Sequence, residues 1–175
     1  MCKMRAIYNL LTRIVVIGIG GTLCIDLFTT VLGFFKVTTN GLRFVGRYIA
    51  YALDGVYSHD MIIQTKSVTG ELLYGYAVHY IAGISFAFLL LLLYKKEWFY
   101  KPKFLPAFVV GLISYLPALF FIQPLFGFGV AFSELDRQIS LLFKTSIIHI
   151  IYGVGLYCTA RFVLFIKGTK HVKIS

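Results

Sequence analysis

From Ile14 to Phe35 the chain reads IVVIGIGGTLCIDLFTTVLGFF, an apolar run in which Asp26 is the single ionisable side chain. About 20 such residues in a helix cross the roughly 30 Å hydrocarbon core of a bilayer, whereas a helix on the surface of a soluble domain needs only one apolar stripe. Three further runs follow, over about 72–94, 104–122 and 145–166. The second ends in LLLLLY, the third carries Pro106 in its first turn and Pro117 deep enough to kink it, and the fourth has Arg161 close enough to its end to snorkel. In hydrocarbon each backbone N–H and C=O must be paired within the segment, so these runs are helices. The expectation is an all-α membrane protein, a four-transmembrane-helix bundle in which residues 1–175 form a single integral membrane domain. A composition of 59% hydrophobic and 14% charged residues, with a mean hydropathy of +0.84, lies outside the range of soluble domains.

The net charge of +10 would suggest a nucleic-acid partner in a soluble protein, but its distribution argues against one. Eleven of the seventeen Lys and Arg fall in three short segments: Lys3, Arg5 and Arg13; Lys95, Lys96, Lys101 and Lys103; Arg161, Lys167, Lys170 and Lys173. The acids fall almost entirely between them. Such asymmetry orients a membrane protein, with the basic loops on the cytoplasmic side. It places the N-terminus, the 95–103 loop and the C-terminus in the cytoplasm, and the two remaining loops outside. The KKEWFYKPK segment adds Trp98, Phe99 and Tyr100 at the interface where such rings concentrate. The first run is too long for a signal-peptide core and lacks a small-x-small cleavage site, so it reads as a retained span. Cys2, Cys24 and Cys158 form neither a disulfide framework nor a zinc pattern.

The outer loops have patterns of their own. In GLRFVGRYIAYAL, Leu42, Val45, Ile49 and Leu53 recur near helical spacing, which predicts a short interfacial helix in the first outer loop. Arg43 and Arg47 on it are candidates for phosphate or lipid headgroups, with pairing to Asp54 or Asp60 the favoured reading. Gln123 and Pro124 end the third span, and the Gly127 and Gly129 that follow suit a re-entrant or interfacial hairpin.

Intramembrane ionisable groups are costly, so each is a candidate site. Gly18, Thr22, Asp26 and Thr30 recur every four residues in the first span; Gly75, His79, Gly83 and Ala87 do so in the second; Ser146, His149 and Gly153, followed by Tyr157, lie along the fourth. Small residues on these stripes bring helices close together. The depths of Asp26, His79 and His149 predict one polar layer in the outer half of the membrane, with Glu71 an interfacial acid two turns before His79. Three readings stand: a packing layer of a structural or assembly subunit, a path for protons, ions or a small solute, and a metal or acid–base centre acting on a lipid or quinone. No cofactor is predicted; a metal ion on His79, His149 and Asp26 is the one candidate. A transporter of four spans calls for a homo-oligomer or a membrane partner subunit beside the lipid bilayer. No GxSxG, HExxH, P-loop, Rossmann or paired CxxC signature is present, so the sequence names no enzymatic chemistry.

In order and spacing the chain resembles a family of small bacterial inner-membrane proteins known as domain of unknown function 2938. The residues that carry the resemblance are GIGGTLCIDLF, VGRY with the later His59, GELLYGYAVHYIAGISFAF, IQPLFGFGVAFS and SLLFKTSIIHIIYGVGLY. It implies a family pattern matched here by Asp26, Gly46 with Arg47, His79 with Tyr80, Gln123 with Pro124, and His149. Tyr48 and Phe28 stand where tryptophan is common in that pattern. The resemblance implies a multi-pass protein of the bacterial inner membrane and brings no activity.

Overall fold

A computed structural model describes the backbone of residues 2–37 and 40–172 and the side chains of residues 4–37 and 40–166. The side chains of Cys2, Lys3, Lys167, Lys170 and Lys173, counted above, lie outside the described residues. Five helices carry the fold: α1 (Cys2–Phe34), α2 (Gly41–Leu53), α3 (Glu71–Tyr94), α4 (Phe104–Pro117) and α5 (Gln138–Val172). Among the described residues there is no strand. Four helical stretches are long and apolar enough to cross a membrane: Met4–Phe34, Glu71–Tyr94, Phe104–Leu125 and Gln138–Ile166. The four apolar runs of the sequence are all there. The first and fourth helices begin well before the edges expected at 14 and 145, because neither Arg13 nor Lys144 interrupts the helical backbone. Basic side chains end an apolar run without ending a helix.

Within α4 the kink expected at Pro117 takes a definite form. The helix passes into a π turn, Ala118–Ile122, and ends in a short turn at Gln123–Leu125. A π turn accommodates a proline by widening the hydrogen-bond ring beside the lost N–H.

The helices pack through glycine. A Cβ built on Gly18 of α1 would lie 2.7 Å from the Ile84 Cα of α3, and one on Gly111 of α4 would lie 2.8 Å from the Gly153 Cα of α5. Both crossings are therefore backbone against backbone, the arrangement that favours association where lipid supplies no hydrophobic driving force between helices. Around them a core forms from Ile14, Ile17, Ala87, Leu90, Val110, Leu156 and Ala160, closed at one end by Trp98 and Phe99 of the 95–103 loop. Arg13 belongs to this closure. It is 8% exposed, its Nη1 donates to the Phe99 carbonyl at 3.1 Å, and its guanidinium lies over the Tyr100 ring at 4.6 Å. The outward surfaces carry Leu27, Val31, Ile81, Leu92 and Phe120, all exposed.

At the opposite end a second core caps the bundle. Ile62 from the segment between α2 and α3 meets Phe126, Phe128 and Phe132 from the segment between α4 and α5, with Phe44, Tyr48 and Tyr51 of α2 packed against them. The two loops are tied through backbone: Ile62 N–H donates to the Phe126 carbonyl at 2.9 Å, and a Cβ on Gly127 would come within 2.0 Å of the Asp60 carbonyl oxygen. Gly127 also has a φ of +74°, so both its space and its backbone exclude a side chain. The segment expected to form a re-entrant or interfacial hairpin carries one 3-10 turn, Val130–Phe132, and its rings form an aromatic plug. Its rings pack on one another, Phe126 on Phe128 at 5.7 Å and Phe128 on Phe132 at 6.3 Å, as well as on Ile62 of the first loop.

α2 is helical as its periodicity requires, and its small residues take the face that is buried in the protein. Gly46, Arg47 and Ala50 are buried, whereas Leu53 is 71% exposed. Small residues win that face because the backbone of α3 comes so close: a Cβ on Gly46 would fall 1.6 Å from the Glu71 carbonyl oxygen, and one on Gly75 would fall 2.0 Å from that of Leu42.

Candidate functional site

The stripes of α1 and α3 face each other, and their polar members meet. Asp26 lies on the α1 stripe four residues beyond Thr22, which itself donates to the Gly18 carbonyl at 2.9 Å and so satisfies its hydroxyl within its own helix. Asp26 has no such local partner. Its Oδ1 stands 3.2 Å from His79 Nε2, and its Oδ2 accepts from the Tyr80 hydroxyl at 2.7 Å. Both carboxylate oxygens are thus engaged by adjacent residues of α3, whose rings meet edge to face at 5.8 Å. Thr29 and Thr30 donate to the backbone carbonyl of Asp26 and leave its carboxylate to α3. The carboxylate and imidazole are 17% and 19% exposed, enclosed but not sealed.

His149 of α5 has a separate set of partners. Its Nδ1 is 2.8 Å from Ser114 Oγ of α4, and Ser114 also donates to the Gly111 carbonyl at 2.7 Å. A serine has one proton to give. When the Gly111 carbonyl takes it, His149 Nδ1–H is the donor and Nε2 is left as an acceptor. Tyr115 stacks on the same imidazole at 4.9 Å, while its hydroxyl bonds the Leu142 carbonyl and Thr145 of α5. Tyr152, one helical turn from His149, ties the two halves together by donating to the Gly83 carbonyl of α3.

The predicted layer is therefore two helix-bridging pairs, Asp26 with His79 between α1 and α3 and Ser114 with His149 between α4 and α5. As a single three-ligand centre it fails. Among the described residues no three His, Cys, Asp or Glu side chains are arranged to hold a metal ion. His149 takes its partners from α4, Ser114 and Tyr115, rather than from Asp26 and His79. Sequence reasoning placed Asp26, His79 and His149 on inward faces and missed Ser114 and Tyr115, while Tyr80 entered only through the His-Tyr pair. Ser114, however, lies three residues after Gly111, a spacing that signals a shared helix face.

Arg47, midway along α2, and Glu71, the first residue of α3, form a second polar site. Arg47 Nε and Nη2 donate to Glu71 Oε2 and Oε1 at 2.8 and 3.3 Å, and Nη1 serves the Ile62 and Thr65 carbonyls. Glu71 also accepts from the Val68 N–H, and Arg43 approaches it at 3.5 Å from a more exposed position. Neither Asp54 nor Asp60 is the partner, which corrects the expected pairing. The close crossing at Gly46 brings Glu71, rather than a loop acid, under the guanidinium. Glu71 is correspondingly buried, at 4% exposure, and is no ordinary interfacial acid.

Two side chains of the cap keep an unpaired buried atom: Gln123 Oε1 and His59 Nε2. The His59 ring lies edge-on between Tyr48 and Tyr51. Cys24 and Cys158 are free thiols.

No curated protein and no solved structure matches the chain. Residues 15–163 match the family model described as Protein of unknown function (DUF2938), a stretch that contains all four apolar helices' facing stripes, the Arg47–Glu71 pair and the aromatic cap. The chain belongs to the DUF2938 family.

Proposed function

We propose that this is an integral protein of the bacterial cytoplasmic membrane that moves protons, or an ion or small solute coupled to them, through the Asp26–His79 pair. The observation that supports the reading is the contact between a carboxylate and an imidazole inside two facing apolar helices. A charged Asp at the centre of a membrane helix costs about 2.5–3.5 kcal/mol on insertion scales. Interhelical hydrogen bonds in membranes return only about 0.6 kcal/mol each on average. As packing alone, the pair is a poor use of an ionisable group. As a proton site it is apt: aspartate and histidine in contact hold or release a proton between them, and their incomplete burial leaves a way in. His149 with Ser114 is a second polar pair bridging helices of the bundle. Four spans enclose little space, so the working unit in this reading is an oligomer, with both termini and the 95–103 loop facing the cytoplasm.

The test is proton flux in proteoliposomes carrying a trapped pH-sensitive dye. Asp26→Asn keeps the shape and an acceptor for Tyr80 while removing the charge. The expected result is flux in the native protein and a loss of at least about tenfold in Asp26→Asn and His79→Gln, with thermal stability nearly unchanged. Native protein that leaves the gradient intact, or an Asp26→Asn variant that conducts equally well, would return the pair to a packing role.

A further inference from the structure

At the end of the bundle away from the aromatic cap, a groove of about 580 Å³ is lined by Lys101, Pro102, Lys103, Arg161, Leu164 and Phe165. We propose that it seats one anionic phospholipid, its phosphate on Lys101, Lys103 and Arg161 and the start of an acyl chain along Leu164 and Phe165.

The two halves of the groove have the chemistry of the two halves of a lipid. Arg161, Leu164 and Phe165 are spaced i, i+3 and i+4, so α5 presents the cation and the apolar side chains on one face. Lys101 and Lys103 come from the connection to α4, and that connection is fixed rather than loosely solvated. Trp98 and Phe99 are buried, Trp98 Nε1–H donates to the Lys103 carbonyl at 3.0 Å, and Lys101 N–H donates to the Glu97 carbonyl at 2.9 Å. Phe104, the first residue of α4, packs edge to face on Tyr157 at 5.7 Å and sets the spacing between the lysines and α5. None of the three cations is paired with a carboxylate among the described residues. A neighbouring groove of similar size, lined by Lys96 and Lys101, includes Glu97 and so has less uncompensated charge.

General attraction of basic residues to an anionic bilayer would make every lysine at this end equivalent. A seat would not, because guanidinium and ammonium groups held around one space converge on one phosphate. Each cation near an anionic surface contributes about fivefold in affinity, and a shared phosphate makes these contributions specific to three residues.

The experiment is native mass spectrometry of the full chain in detergent, titrated with phosphatidylglycerol or phosphatidylcholine. One phosphatidylglycerol is expected to persist at activation energies that strip phosphatidylcholine, and millimolar inorganic phosphate should not displace it. Lys101→Gln, Lys103→Gln and Arg161→Gln should each weaken retention about fivefold. A triple variant at Arg5, Lys95 and Lys96, each changed to Gln, removes the same charge from the same end outside the groove and should retain the lipid. Equal retention of both lipids, displacement by phosphate, or equal loss in the two sets of variants would overturn the proposal. Circular dichroism of each variant separates lost binding from lost folding.

Discussion

Arg47 is the side chain whose removal should be felt most. Its guanidinium meets both oxygens of Glu71 and two backbone carbonyls, so truncation orphans a buried carboxylate and two acceptors. Breaking a buried pair on one side typically costs 3–5 kcal/mol, and the position near the end of the molecule favours the low end, about 3 kcal/mol. Arg47→Ala should therefore lower the unfolding temperature in detergent well beyond the effect of Arg43→Ala, whose guanidinium is more than half exposed. Arg47→Lys should rescue little, since an ammonium cannot reproduce the two-pronged contact. The sequence showed that these arginines needed partners but not which ones. Asp54 and Asp60 are nearer in the chain, and only the crossing of α2 over α3 brings Glu71 closer in space. Asp26 and His79 were legible because an ionisable group in an apolar run is conspicuous. Ser114 was not, because a serine in such a run costs little and carries no sign of its partner until the helices pair.

At the scale of elements, the contact between α2 and α3 rests on two glycines. Gly46→Ala places a methyl group where the Glu71 carbonyl oxygen lies, so α2 must lift away and take Arg47 with it. Overpacking of this kind costs typically 1–3 kcal/mol, and losing the ion pair adds to it. Gly33→Ala is the matching control: it lies in α1 with no atom within 4 Å of the added Cβ, and should stabilise the helix slightly, by up to about 1 kcal/mol. Thermal unfolding of the two variants should move in opposite directions. The five helices were legible from periodicity and length, since hydrocarbon leaves an apolar run only one way to satisfy its backbone. The buried face of α2 was not. Its periodic leucines and valine marked the apolar stripe, while close approach selected Gly46 and Ala50 for the buried face.

For the whole molecule, four helices are long and apolar enough to cross a membrane, and four crossings would bring the chain back to the side on which it began. A fluorescent protein fused after Ser175 should therefore be bright inside the cell, and alkaline phosphatase fused within the 54–60 segment should be active outside it. The opposite pattern would reverse the orientation drawn from the basic segments. The aromatic cap has a bearing on how such a chain is made. Its apolar members come from both sides of two spans: Ile62 is synthesised before α3, and Phe126, Phe128 and Phe132 only after α4. A nascent chain emerging from the insertion machinery with only its first hairpin complete holds Ile62 and the rings of α2 without their cover. Completion of the cap thus reports that the second hairpin has arrived in register. A chain truncated after Tyr94 lacks that seal and leaves Ile62 and the rings of α2 uncovered.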